Sequence, residues 1–209
     1  MSRRAISTEE IQQAILASAT SLFLEKGIYE TEMTEIARRA DLSLSTLYRY
    51  AVDKNQLAFR VVTALMRDLT NSSFEMEKIP GELGIDRLRR LQFMILDECE
   101  RRPEVMVVIN EFDSLYRGPY PDIPEAADYV ILMQRHANQA LQFVLEAILD
   151  GSMKHIEDPQ LFSSTIQNMT LGLCLRFFPR ETHYREEHRS AARRMIEEAI
   201  GRMLEAVRT

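Results

Sequence analysis

Residues 36–57 read I-A-R-R-A-D-L-S-L-S-T-L-Y-R-Y-A-V-D-K-N-Q-L, and this stretch decides the fold. Ile36, Ala37 and Ala40 continue the apolar side of a short helix that begins near Met33. Ala37 is small, as the close approach of two helices in a tight turn requires. Asp41 falls in that turn, where a positive φ is often needed and Asp tolerates it better than most residues. Ser43 is placed to cap the next helix, roughly Leu44 to Tyr50. Leu47 points inward from it, which leaves Ser45, Thr46, Tyr48 and Arg49 on the outer face. Asp53 can cap a fourth helix, with Gln56 three residues on. Lys54 stands at that helix N-terminus, where backbone N–H groups and an ammonium can jointly hold a phosphate. Upstream, S-T-E-E at residues 7–10 spells a capping box that starts a helix near Thr8. Ile11, Ala14, Ile15, Ala19, Leu22 and Phe23 then recur at three- and four-residue steps, one apolar face. Gly27 ends that helix as a left-handed cap, with Lys26 complementing its C-terminus. A supporting helix followed by two short helices across a tight turn is a helix-turn-helix, whose second helix reads double-stranded DNA in the major groove.

Charge adds a constraint. The 209-residue chain carries 26 Lys and Arg against 32 Asp and Glu, a net charge of -6. Residues 1–54 hold seven basic and eight acidic side chains. A nonspecific polyanion binder is basic overall. DNA affinity here must therefore come from placed contacts and from duplication of the reading head in a dimer. Arg3 and Arg4 could add a basic arm reaching a flanking groove.

Hydrophobic residues make up 45% of the chain, enough for a core. No run approaches 18 uncharged apolar residues, so no membrane span is expected. The start, M-S-R-R-A-I-S-T-E-E, has no apolar h-region. Cys99 and Cys174 form no C-x-x-C pair and read as reduced core residues of a cytoplasmic protein. Catalysis finds little support. There is no G-x-S-x-G, and seven glycines leave little material for a phosphate-binding loop. His183 and His188 lie five apart, off one helical face, whereas a zinc pair prefers i, i+4. No metal site and no cofactor are expected.

The remainder reads as helices without strand signals. A fourth helix is expected from Lys54 to about Glu77, broken by Pro80-Gly81 and Gly84. A fifth spans about Ile85 to Arg101 and a sixth Pro103 to about Tyr116. G-P-Y-P-D-I-P at residues 118–124 is the strongest loop in the chain. A long seventh runs from Pro124 to Asp150, with apolar spacing that alternates threes and fours as in bundles. An eighth spans Pro159 to about Arg176 and a ninth about Arg185 to Arg208. On these last two, Phe162, Ile166, Met169, Leu173, Ile196, Ile200 and Met203 form apolar stripes suited to a homodimer interface. The same stripes also suit a purely internal core.

The pattern of Ile11 to Leu57 resembles the DNA-binding domain of the tetracycline-repressor (TetR) family of bacterial transcription regulators. The densest part is I-A-x-x-A-x-x-S-x-x-T-L-Y-x-Y-x-x-x-K-x-x-L, residues 36–57. The rest of the chain matches that family only in length and helical character. The resemblance implies an all-α fold: an N-terminal helix-turn-helix domain (residues 1–54), a linking helix (54–77), and a C-terminal helical ligand-binding and dimerisation domain (55–209). It implies that Ser43, Ser45, Thr46, Tyr48 and Arg49 face the major groove or its flanking phosphates. Lys54 would hold a phosphate, and Thr31 and Thr34 would add contacts near the start of the second helix. Three positions depart from the family pattern. Glu32 stands where a phosphate-touching Thr is common, Asp41 replaces the usual turn Gly, and Tyr50 replaces Phe. The first two bring negative charge toward a polyanion. The resemblance further implies a small, largely apolar effector among helices five to eight. Candidate lining residues are Phe93, Met106, Asn110, Phe112, Tyr129, Met133, His136 and Met169, with Glu111 and Asn168 as further polar anchors. The partners it implies are a palindromic operator in double-stranded DNA, a second copy of the chain and the effector. The setting is the bacterial cytoplasm, at the nucleoid. A protein partner docking on the C-terminal domain is the alternative to a small molecule.

Overall fold

The computed structural model describes residues 7–51, 53–74 and 76–209. The candidate arm at Arg3 and Arg4 lies outside the described residues. Among the described residues ten α-helices follow one another: α1 (Thr8–Lys26), α2 (Met33–Arg39), α3 (Leu44–Tyr50), α4 (Lys54–Phe74), α5 (Gly84–Arg101), α6 (Pro103–Leu115), α7 (Pro124–Leu149), α8 (Pro159–Phe177), α9 (Glu181–His188) and α10 (Ala192–Val207). A 3₁₀ turn at Phe178–Arg180 joins α8 to α9. Among the described residues the only β pairing is an isolated bridge between Met153 and Arg208. The architecture is all-α.

The chain forms two compact units. One comprises residues up to Leu65 together with Val107–Val130; the other comprises Met66–Met106 and Ile131–Thr209. In the first, the capping box is formed as its spelling requires. Ser7 Oγ accepts from Glu10 N at 3.1 Å, and Glu10 Oε2 accepts from Ser7 N at 2.7 Å. Ile15, Ala19, Leu22 and Phe23 of α1, Ile36 of α2, Leu47 of α3 and Leu57 of α4 are all buried. Gly27 closes α1 at φ 85, its N–H donating to Phe23 O. A second apolar group lies in the same unit. Phe59 packs with Phe112, Tyr116, Tyr120 and Tyr129 at centroid distances of 4.7 to 6.0 Å. Tyr116 Oη also donates to Asn55 Oδ1 at 2.9 Å, and the Arg60 guanidinium pairs with Glu125 at 2.7 Å.

In the second unit α5, α8 and α10 pack on one another around Leu88, Leu96, Ile166, Cys174, Ile196, Ile200 and Leu204, all buried. Cys99 and Cys174 are free and buried, as expected. The start of α5 is fixed by residues far away in sequence. Gly84 N donates to Asp150 Oδ2 at 2.6 Å and Ile85 N to Ser152 Oγ at 3.2 Å. Gly84 lies so close to the backbone of Ala147 that a Cβ there would collide with it.

Two expectations are corrected here. The single helix expected over 185–208 is divided. Arg189 adopts φ 53 and ends α9 as a left-handed cap, and Glu181 then accepts from Ala192 N to start α10. The expected interface stripes are also partly internal. Ile166, Ile196 and Ile200 are fully buried within the chain, so they cannot meet a partner. Phe162, Met169, Leu173 and Met203 remain half-exposed.

Candidate nucleic-acid interface

The turn between α2 and α3 is built by three local devices. Leu42 N donates to Ala37 O at 2.9 Å and Asp41 N to Arg38 O at 3.2 Å. This 6→1 and 5→2 pair is the Schellman closure of a helix, and it demands a left-handed residue after the cap. Asp41 supplies it at φ 55. Ser43 then caps α3, its Oγ accepting from Thr46 N at 3.1 Å. Leu47 is fully buried and anchors α3 to the core. On the outside are the polar Ser43, Ser45, Tyr48 and Arg49, Tyr48 exposed by 46%, together with the apolar Leu44, exposed by 37%. Thr46 is half-exposed, and its hydroxyl shares a 2.8 Å hydrogen bond with Ser43 Oγ. Ser43 Oγ and Ser45 Oγ are also bonded, at 2.9 Å. The Arg49 guanidinium lies 5.3 Å from the centroid of the Tyr50 ring. Thr34, on the first turn of α2, is exposed beside this face.

Two internal ion pairs brace α2 against α1. Arg39 binds Glu25 in a fork, one arm at 2.8 Å, and reaches Ser21 Oγ at 2.6 Å. The Arg39 guanidinium, followed by the Ser21 hydroxyl, holds the Glu25 carboxyl below the usual carboxylate range. Lys26 Nζ meets Glu35 Oε2 at 2.6 Å, and that oxygen also accepts from Glu32 N at 3.0 Å. Lys26, then the Glu32 backbone, lowers the Glu35 carboxyl in the same way. Lys26 and Arg39 are thus occupied inside the unit, and α2 and α3 also present the exposed Arg38 and Arg49.

Residues 15–61 match the family of bacterial regulatory proteins described as the tetR family. That match places a TetR-type segment at residues 15–61 of the chain. Over 51 residues it is 41% identical to the HTH-type transcriptional regulator HbdR of Aromatoleum sp. (strain CIB), covering 24% of this chain and 22% of HbdR. Over 89 residues it is 32% identical to the HTH-type transcriptional repressor KstR of Rhodococcus jostii (strain RHA1), covering 42% of this chain and 41% of KstR. The similarity therefore spans less than half the length of these curated relatives. Across nearly the whole fold it resembles the crystal structure of AibR in complex with isovaleryl coenzyme A and operator DNA. There the TM-score is 0.64 at 19% identity, covering 91% of this chain and 96% of AibR.

Two contacts that the family resemblance implies sit differently in this chain. Thr31 is fully buried and its hydroxyl donates to Gly27 O at 2.7 Å, so its side chain is turned away from solvent. Lys54 Nζ donates to the carbonyls of Ile28 at 3.0 Å, Tyr29 at 3.2 Å and Thr31 at 3.1 Å. An ammonium has three donors, and all three are used within the protein. The physical reason is the loop that follows Gly27: its carbonyls have left the α1 ladder, and the first residue of α4 reaches them. Sequence reasoning passed over the matching role of Glu111, whose carboxylate accepts from Ile28 N and, at 3.3 Å, from Tyr29 N. Glu111 lies more than eighty residues from its partners, and no local pattern signals the contact.

The candidate effector residues are shared between the two units. Asn110, Phe112 and Tyr129 belong to the first, where Phe112 and Tyr129 are buried in the aromatic group and Asn110 is exposed. Burial drives the Tyr129 phenol well above its usual range. Phe93, Met106, Met133, His136 and Met169 belong to the second. Met106 is fully buried and the other four are half-exposed. His136 Nε2 lies 3.0 Å from Thr70 Oγ1, and burial, followed by the charge of Arg135, lowers its imidazole to about 4. Asn168 donates to Ser164 O, a local helix contact.

Proposed function

We propose that this chain is a sequence-specific DNA-binding transcription regulator that works as a homodimeric repressor and leaves its operator on binding a small, largely apolar molecule. The observation that carries the reading is α3. Its one buried residue, Leu47, fixes the helix, while Ser43, Ser45, Tyr48 and Arg49 face solvent together with hydroxyl, phenol and guanidinium groups that read base edges and phosphates. Thr34 and Thr46 flank that face. Thr31 and Lys54 shape the loop behind it. The domain assignment follows: residues 1–54 read DNA, a helix from Lys54 links them onward, and 55–209 serve dimerisation and effector binding in the cytoplasm. Among the described residues no helix is long and apolar enough to cross a membrane.

Dimerisation falls to the half-exposed apolar side chains of α8 and α10, namely Phe162, Met169, Leu173 and Met203. The effector chemistry is suggested by AibR, whose structure holds isovaleryl coenzyme A; a short acyl thioester is therefore the first probe. A second reading has one observation in its favour. On α7, Ile131, Leu145 and Leu149 are exposed by 63%, 43% and 86%, away from α8 and α10, which suits a docked protein.

The test is selection of random duplex DNA by the purified full chain, followed by titration of the enriched duplex with acyl-coenzyme A esters. A palindromic site released by an acyl ester supports the repressor. Binding without release by any small molecule shifts weight to the protein-partner reading. A folded chain that enriches no sequence removes DNA reading altogether.

A further inference from the structure

The loop between α1 and α2 is gripped from two sides by charges that are remote in sequence. On one side Glu111 of α6 offers its Oε2 to the N–H groups of Ile28 and Tyr29. On the other side the Lys54 ammonium takes the carbonyls of Ile28, Tyr29 and Thr31. The loop's peptide groups are thereby sorted, amides toward an anion and carbonyls toward a cation. Hydrogen bonds with one ionised partner are the stronger kind. Gly27 completes the arrangement. It holds φ 85, and a Cβ at that position would collide with the Glu111 carboxylate. Ile28 is buried at 1% exposure, so the gripped segment is also anchored below.

The gripped loop leads directly into the reading helices. Glu32 precedes the first residue of α2, and its N–H is held by Glu35, which Lys26 holds in turn. The Schellman closure then ties α2 to the start of α3. Recognition side chains must be held to a fraction of an ångström to be productive. The entry of α2 is where that precision is set.

We propose that Glu111 is a positioning residue for DNA recognition: its carboxylate fixes the α1–α2 loop, with Lys54 as the opposing grip, and so fixes the pose of α2 and α3. This rests on the DNA-reading function proposed above. It makes α6 part of the reading head, although Glu111 itself touches no DNA.

The test uses the full chain as wild type, Glu111→Gln and Glu111→Ala, with two readouts. The first is hydrogen exchange at the amides of Ile28 and Tyr29. The second is affinity for the selected operator, measured well below the melting temperature, beside affinity for an unrelated duplex. Loss of a charge-assisted hydrogen bond predicts exchange about tenfold faster in Glu111→Ala, and less acceleration in Glu111→Gln, whose amide oxygen still accepts. Operator affinity of Glu111→Ala falls by about tenfold while affinity for the unrelated duplex does not fall. Unchanged exchange at both amides overturns the grip. Faster exchange with unchanged operator affinity overturns the positioning role and leaves a stabilising contact only. A wild-type chain that binds no selected duplex overturns DNA reading and the positioning role with it, while the exchange data still judge the grip separately.

Discussion

Asp41 carries a conformational cost that its neighbours impose. The Schellman closure of α2 requires a left-handed residue, and Asp41 sits there at φ 55 without glycine's freedom. Asp41→Gly is expected to raise stability by about 1 kcal/mol, a shift of roughly 2–4 °C in melting temperature for a chain of this size. A thermal melt beside wild type checks it, and a lower melting temperature refutes the strain argument. The same change removes a carboxylate beside the reading face, so operator affinity rises as well. Tyr48 offers the complementary case. Its ring is 46% exposed, so truncation leaves the core intact. Tyr48→Ala is expected to weaken operator binding by about 1–3 kcal/mol if the phenol reads a base edge, with an unchanged melting temperature. Titration of the selected duplex and of single-base variants measures both affinity and discrimination. Equal affinity in Tyr48→Ala means that α3 presents a different face to DNA.

Within the second unit, α4 and α7 are joined by a polar ladder rather than by apolar packing alone. Thr70 Oγ1 donates to Met66 O at 2.7 Å and shares a 3.0 Å hydrogen bond with His136 Nε2. Gln139 Nε2 donates to Ser73 O one turn further on. His136 keeps its neutral form down to about pH 4 in the folded chain, against 6.5 when exposed. The unfolded chain therefore binds the extra proton first. Stability from this group is whole above pH 6.5 and is lost progressively as pH falls toward 4, by on the order of 2 kcal/mol once partial exposure is allowed for. Denaturant titrations at pH 7 and pH 5 measure the loss, and His136→Gln should flatten this part of the profile. An equal loss in the variant assigns the acid sensitivity to carboxylates instead. The contrast between the two units also explains what the sequence could show. The capping box at Ser7, the closure at Asp41 and the cap at Ser43 act over three or four residues, so their spelling was legible. The break at Arg189 was not, because a left-handed arginine carries no glycine to mark it. The contacts of Lys54 with the carbonyls of Ile28, Tyr29 and Thr31 leave no local spelling either, because these groups become neighbours only after folding. The buried state of Ile166, Ile196 and Ile200 was hidden for a related reason: a helical stripe shows which side is apolar, not which neighbour covers it.

For the whole molecule, the proposed function calls for two reading heads, because a single helix-turn-helix reads only a few base pairs and two-fold symmetry supplies the second half-site about 34–36 Å away or a multiple of that. The near-neutral balance of residues 1–54 strengthens this argument. With Lys26, Arg39 and Lys54 engaged inside the protein, few cations remain to release counterions from DNA. A single head should therefore bind weakly and with a shallow salt dependence, while a dimer doubles the slope. Dimer loss can be separated from unfolding by the burial of neighbouring positions. Leu173 is half-exposed on α8, whereas Ile196 on α10 is fully buried. Leu173→Glu is expected to give a folded monomer by light scattering, with helical content retained and operator affinity reduced by about a hundredfold, since the second half-site no longer contributes. Ile196→Glu places a carboxylate in the α5–α8–α10 core and should cost about 3–5 kcal/mol, seen as a collapse of the melting transition rather than a change in mass. If Leu173→Glu remains a dimer with full affinity, the partner is held elsewhere. The exposed leucines of α7, Leu145 and Leu149, are then the next positions to substitute, because they leave two large apolar side chains open one turn apart on the same helix.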